Sequence, residues 1–219
     1  MDDLGPTRTL RFALVLTFGS GFMDAYTYLA RGGTFAITQT GNMVLFAVDA
    51  AGRHWTPAMA HAWPIPAFML GIAVAARIEA GHARLPHPLR WAVGAQIVAL
   101  TAIGFLPATA AHEYVTIPVA FLGAVQIGLF RNIGELTYMP AATTGNLMRF
   151  VQQAYDAYTR RGTGSWQAVR IYGALIVSFA GGAVVGAFAT QAWEARASWV
   201  AACLAALMLA MLIVDPVKS

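Results

Sequence analysis

Six long apolar runs recur along the chain, at 10–29, 63–80, 89–106, 115–132, 167–190 and 197–214. Each approaches the roughly 20 residues that a helix needs to cross the hydrocarbon core of a bilayer, so each predicts a transmembrane helix. Proline placement agrees with these limits. Pro64, Pro66, Pro88 and Pro118 fall in predicted first turns, where a missing N–H is tolerated, and Pro107 and Pro216 lie just past predicted helix ends. Two further apolar stretches, around 34–51 and 139–158, are each interrupted by the same polar triplet: Thr40-Gly41-Asn42, then Thr144-Gly145-Asn146, 104 positions later. Neither makes a clean span. The expected fold is an all-α polytopic membrane helical bundle of about six transmembrane helices. The chain is one integral membrane domain, 1–219, with internal repeats at approximately 10–106 and 115–214.

Charge distribution orients the bundle. If the triplet stretches do not cross, an N-inside chain carries eleven of its Lys and Arg residues inside and only Arg31, Arg53 and Arg196 outside. If both crossed, the split would be eight to six. The positive-inside rule therefore favours six spans with both termini cytoplasmic. Three spans per half make the halves inverted repeats, each with a broken or re-entrant Thr-Gly-Asn segment, the first entering from the outer face and the second from the inner.

Composition fits this picture. Apolar residues make up 58% and charged residues 11%, less than half the usual charged share of a soluble domain, which excludes an ordinary soluble fold. The pI near 9.6 would raise nucleic acid as a partner, but the basic residues sit in short loops between apolar runs and no nucleic-acid module is present. Cys203 is the single cysteine, so neither an intrachain disulfide nor a cysteine-based metal site is expected. The N-terminus has acidic residues ahead of Arg8 and Arg11, which predicts an uncleaved first helix in place of a removed signal peptide.

Asn42 and Asn146 lie where short helices should start, with Thr40 and Thr144 as N-caps and Gly41 and Gly145 allowing unusual backbone angles. The helix after the second triplet is amphipathic, with Leu147, Val151, Ala154 and Tyr158 on one face, which predicts a half-buried, interfacial element. The helix after the first is apolar from Met43 to Val48, which predicts deeper burial. Two readings of the triplets stay open. Free N–H groups and the Asn amides could face a cavity and bind a solute or anion, or the polar residues could merely cap helices and satisfy broken backbone.

Asp24 is the only acid within the first span, and a carboxylate there must be paired, protonated or facing water. A solute site built on Asp24 competes with simple exposure near the helix end. Gln126 suits a hydrogen bond to a neighbouring helix or a place in the site, and Arg131, Asn132, Glu135 and Arg149 suit an inner-face polar cluster or plain cytoplasmic anchoring. Gly182 and Gly186 form a small-xxx-small pair that permits close helix approach. The five histidines fall in loops or at span ends without metal-ligand spacing, and the six tryptophans cluster near span ends as an aromatic belt. The candidate solute-binding set is thus Asp24, Thr40, Gly41, Asn42, Gln126, Asn132, Thr144, Gly145 and Asn146.

The run Gly21-Phe22-Met23-Asp24-Ala25-Tyr26-Thr27-Tyr28, followed by Gln39-Thr40-Gly41-Asn42, resembles the hallmark of the YoaK-like family of uncharacterised bacterial membrane proteins. The second half is similar in order and spacing, through Gly123 to Gln126, Phe130-Arg131-Asn132 and Thr143-Thr144-Gly145-Asn146-Leu147. One departure is Ile127 after Gln126, where the family often has Asn. The resemblance covers most of the chain and implies a multi-pass protein of the bacterial inner membrane with no settled activity.

Inverted halves, two broken elements and an intramembrane carboxylate predict a transporter or channel for a small solute. The other reading is a non-transporting membrane module that packs with partner proteins or lipids. No protease, hydrolase or phosphate-binding motif occurs, so no enzyme and no cofactor is expected. The expected partners are the lipid bilayer, an unidentified solute and a second copy of the chain in a homo-oligomer.

Overall fold

Each of the six long apolar runs is a helix, and so is the stretch after each triplet. The structure, a computed structural model, describes residues 10–81, 87–107, 109–130, 132–133, 136–138, 143–159 and 166–214. In chain order the helices are α1 (Leu10–Ala30), α2 (Gln39–Ala51), α3 (Trp55–Ala62), α4 (Pro64–Glu79), α5 (Pro88–Ile103), α6 (Glu113–Leu129), α7 (Thr143–Thr159), α8 (Trp166–Trp193) and α9 (Ser198–Val214). Between α6 and α7 a two-residue strand, β1 (Asn132–Ile133), pairs antiparallel with β2 (Leu136–Thr137). Proline sets the first turn of α4 and α5, where its fixed φ is already helical. Pro118 departs from expectation. Because α6 begins at Glu113, the proline lies inside the helix, where it removes one intrahelical hydrogen bond.

Helix directions follow from contacts whose numbers rise or fall together. Along α1 and α8 the Ser178 hydroxyl donates to the Leu14 carbonyl at 2.8 Å, and the Tyr26 hydroxyl donates to the Ala195 carbonyl at 3.1 Å, so these helices run parallel. Between those points Gly182 rests on the Phe18 carbonyl and Gly186 on that of Phe22, so close that a Cβ at either position would overlap it. The α4–α6 contact repeats the device, with Gly71 against the Phe121 carbonyl and Gly128 against Ala75, again parallel. In contrast, Arg90 donates to the Leu212 carbonyl and the Trp199 indole to that of Thr101, each at 3.1 Å, so α5 and α9 are antiparallel.

Two apolar clusters mark the ends of the bundle. One joins the starts of α1 and α5 to the ends of α6 and α9, through Phe12, Val93, Phe130 and Leu212. The other joins the ends of α1 and α5 to the starts of α6 and α9, through Tyr26, Ile103, Val115 and Ala197. Helices α1, α5 and α8 therefore run one way and α4, α6 and α9 the other. Residues 31–63 leave and re-enter the bundle at one end, whereas Phe150 of α7 packs with Leu10 and Ala168 at the opposite end, where α1 and α8 begin.

The distribution of polarity is inverted relative to a water-soluble protein. Thr17, Ser20, Asp24, Thr27, Arg31, Gln96 and Gln126 are buried, while Met69, Leu70, Val98, Val177, Phe188 and Val214 are exposed. Three buried hydroxyls donate to the carbonyl one turn back, Ser20 to Leu16, Thr27 to Met23 and Thr190 to Gly186, which satisfies them without water, whereas those of Thr17 and Thr116 have no partner among the described residues. All six tryptophans lie at helix ends and are exposed. Two continuous helical stretches, Trp55–Glu79 and Trp166–Val214, are long and apolar enough to cross a membrane by length and composition.

One expectation needs correction. The apolar side chains of α2 are not deeply buried, since Met43, Val44 and Val48 face outward and Asn42 is the buried residue of that helix. Helix α7 turns Leu147, Val151 and Tyr158 outward and packs on α8 through Phe150, which lies over Gly173, so it is half-buried. Apolar periodicity identifies a face without saying which neighbour it meets, and here the polar edge of each short helix is the inner one.

Candidate functional site

After α1 ends, the chain turns at Gly32 and Gly33, whose φ values of 77° and 71° belong to the left-handed region that glycine enters without strain. It then folds back along the helix it has just left. The Ala36 amide donates to the Thr27 hydroxyl at 3.1 Å, and the amides of Ile37 and Thr38 donate to Asp24 Oδ1 at 2.8 and 3.2 Å. The Thr38 hydroxyl donates to Asp24 Oδ2. Asp24 is thereby the acceptor at the N-terminus of α2, although it lies in another helix, and Thr38, the N-cap by position, makes no side-chain cap bond. Thr40 is the second residue of α2, which corrects its expected role as N-cap; Thr144 is likewise the second residue of α7, which begins at Thr143.

Asn42 ties the first triplet to its own loop. Asn42 is buried, accepts the Phe35 amide at 2.9 Å, and donates to the Phe35 carbonyl at 2.6 Å and to Gln39 Oε1 at 2.9 Å. Gln39 in turn donates to the Ala36 carbonyl at 2.9 Å. Gly41 makes room for the Phe35 ring, which a Cβ would meet at 2.8 Å, and that ring stacks on Tyr28 with centroids 5.0 Å apart. In the second triplet Asn146 is buried and also engaged, Gly145 faces open space, and the preceding Thr143 hydroxyl has no partner.

Both triplets reach one cavity of about 820 Å³. Thr40 and Thr144 line it together with Asp24, Thr38 and Thr143, and Tyr28, Phe35, Phe68 and Phe179 supply aromatic wall. Of the candidate residues, Asp24, Thr40 and Thr144 therefore meet. Gly41, Asn42, Gly145 and Asn146 lie behind them and are not lining residues. Gln126 lines a separate, much smaller chamber. Asn132 is in β1, and Arg131 and Glu135 lie outside the described residues, so the expected inner-face cluster does too. Arg149 approaches the Tyr172 hydroxyl at 3.5 Å.

One polar constellation escaped the sequence reading. His61, buried on α3, contacts Asp49 of α2 through Nε2 at 3.2 Å and shares a hydrogen bond with the Thr34 hydroxyl through Nδ1 at 3.2 Å. It fastens the returning loop and α2 to the helix that leads into α4. The spacing of 12 residues from Asp49 to His61 carries no motif, because a loop and not a helical turn brings them together. Among the described residues no group of three His, Cys, Asp or Glu side chains is placed to hold a metal ion.

Chemically, the cavity offers a mostly apolar wall, several hydroxyls and the first turns of two helices. A volume within the usual 300–1,000 Å³ range of ligand pockets, with few polar groups, suits a small organic solute. The Asp24 carboxylate already accepts three hydrogen bonds from the chain and serves foremost as a structural anchor.

Comparison with known proteins found no match among curated proteins and none among solved structures. A family model described as "Protein of unknown function (DUF1275)" matches residues 12–211, nearly the whole chain and both triplets. The chain therefore belongs to the DUF1275 family, which includes the YoaK-like proteins that its motifs resemble.

Proposed function

We propose that this chain is a six-span inner-membrane protein built from two inverted three-helix repeats, and that it is a transporter or channel for a small solute. The observation that carries the reading is the shared cavity. Thr40 and Thr144, equivalent positions of the two triplets, line one space of about 820 Å³ beside Asp24. Two matched broken elements whose helix N-termini meet at one cavity from opposite ends of a bundle are the arrangement expected of a midplane solute pathway.

The membrane part of the proposal is supported by the exposed apolar side chains, the tryptophans at helix ends and the buried polar residues. The repeat is supported by helix pairing. Exchanging the halves turns the α1–α8 contact into α6–α4, and α1–α9 into α6–α5, and all four are present. Helices α1, α4 and α5 run opposite to their counterparts α6, α8 and α9, so the triplet segments enter from opposite faces. Reporter fusions should place both termini and the 81–90 loop in the cytoplasm; finding that loop outside would overturn the topology.

The solute class follows from the lining: a small molecule with an apolar body and one or two hydrogen-bonding groups. Filling the cavity tests this. Thr144→Trp should stop flux of such solutes into proteoliposomes while the protein still purifies as a single species, and unchanged flux would break the link between cavity and transport. The second reading, a non-transporting module that packs with protein or lipid partners, is favoured by one observation. Asp24, Asn42 and Gln39 all direct their hydrogen bonds to the chain's own loop.

A further inference from the structure

Behind the large cavity lies a second chamber of about 20 Å³ where α1, α5, α6 and α9 meet. Its walls are apolar except for three side chains: Ser20 of α1, Gln96 of α5 and Gln126 of α6. All three are at least nine-tenths buried, at 5%, 7% and 1% exposure. The Ser20 hydroxyl donates to the Leu16 carbonyl at 3.0 Å and keeps its lone pairs free. Gln96 Oε1, an acceptor, and Gln126 Nε2, a donor, have no partner among the described residues. Helix insertion into apolar surroundings leaves few buried amide atoms unsatisfied, because each forfeits the hydrogen bond it had in water.

We infer that this chamber is a binding site for a single water molecule, which joins α5 to α6 through the two glutamines. The space exceeds the roughly 10–15 Å³ that one water needs and falls far short of any organic solute. A water there donates to Gln96 Oε1 and to Ser20 Oγ and accepts from Gln126 Nε2, three bonds, which is the usual number for a buried water. Exchanging the ends of the Gln96 amide leaves three bonds, since the water then accepts from both amides and donates to Ser20 Oγ. Ile37 closes the chamber on the cavity side. It lines both spaces, and its Cδ1 occupies the position that a side chain at residue 123 would take, so Gly123 is what lets it seat. The inference stands apart from transport, because it needs only the chamber and its amides.

Hydroxyl-radical footprinting of the full-length protein in nanodiscs reads this site directly, since radicals formed from a bound water oxidise neighbouring methionines. Met23 and Met208 line the chamber and are otherwise buried. Both should be oxidised in the wild-type protein, and their labelling should fall severalfold in a Gln96→Leu, Gln126→Leu double variant while exposed Met43 and Met148 label as before. Absence of labelling at Met23 and Met208 in the wild type, or equal labelling in the double variant, would overturn the inference. Thermal melting gives a second reading that does not depend on radicals. Each single variant strands the remaining amide and should melt lower than the double variant, whereas additive losses would count against a shared water.

Discussion

The two triplets are identical in sequence and differ in how they are held. In the first, a carboxylate two turns before the end of α1 accepts the amides of Ile37 and Thr38, and Asn42 closes the Phe35 loop from the other side. In the second, the residue at the matching place in α6 is Gln126, four positions into Gly123-Ala124-Val125-Gln126 as Asp24 is into Gly21-Phe22-Met23-Asp24. Its amide lines the small chamber, away from Thr143 and Thr144. A carboxylate is an acceptor only and binds strongly to the exposed amides at a helix start. An amide carries donors as well and binds them less strongly. The stretch ahead of the first triplet is therefore anchored through an acid, whereas beside the second the Thr143 hydroxyl has no partner among the described residues. The lesson is that one tripeptide, at the start of two helices, is held by different chemistry at each.

Four substitutions sharpen or break this contrast. The largest effect is expected at Asp24. Asp24→Asn keeps the volume and one acceptor, so expression should persist, while solute flux into proteoliposomes should fall to that of empty vesicles; normal flux would remove Asp24 from the site. Next, Asn42→Ala strands the Phe35 amide and carbonyl and should destabilise the protein by about 1–3 kcal/mol, read as a lower midpoint in thermal or denaturant unfolding. The paired glycines then test the triplets against each other. Gly41→Ala pushes a Cβ into the Phe35 ring and should cost about 1–2 kcal/mol by the same measurement, together with the Tyr28–Phe35 stack. Gly145→Ala meets open space inside a helix and should stabilise by about 0.5–1 kcal/mol, the smallest effect. The same change in stability, in sign and size, at both glycines would show the triplets to be interchangeable.

Much of the helical framework was legible beforehand. Uninterrupted apolar runs place α1, α4, α5, α6, α8 and α9 to within a few residues, because a helix is the way a long apolar segment satisfies its own backbone. The small-residue pair Gly182 and Gly186 was legible as a contact, though not which helix it meets. Helix starts were less legible. Thr40 and Thr144 look like N-caps in sequence, yet each sits one residue inside its helix, and the amides just ahead of α2, those of Ile37 and Thr38, are held by Asp24, 15 residues before Gln39. The Asp49–His61–Thr34 tie was invisible for the same reason: a loop closes it, and no local periodicity records a loop closure.

What the sequence by itself determined is the number and place of the apolar helices, the existence of two matched interruptions and the family, all properties of local composition and of order along the chain. The tertiary structure alone decided which residues meet. Thr40 and Thr144, 104 positions apart, share one cavity with Asp24, whereas Gln126 faces another space entirely. The physical reason is that side-chain direction around a helix is fixed by the neighbours it packs against. Gly182 on Phe18, Gly71 on Phe121 and Ile37 against Gly123 set those rotations across long sequence distances, where an apolar pattern carries no information about partners.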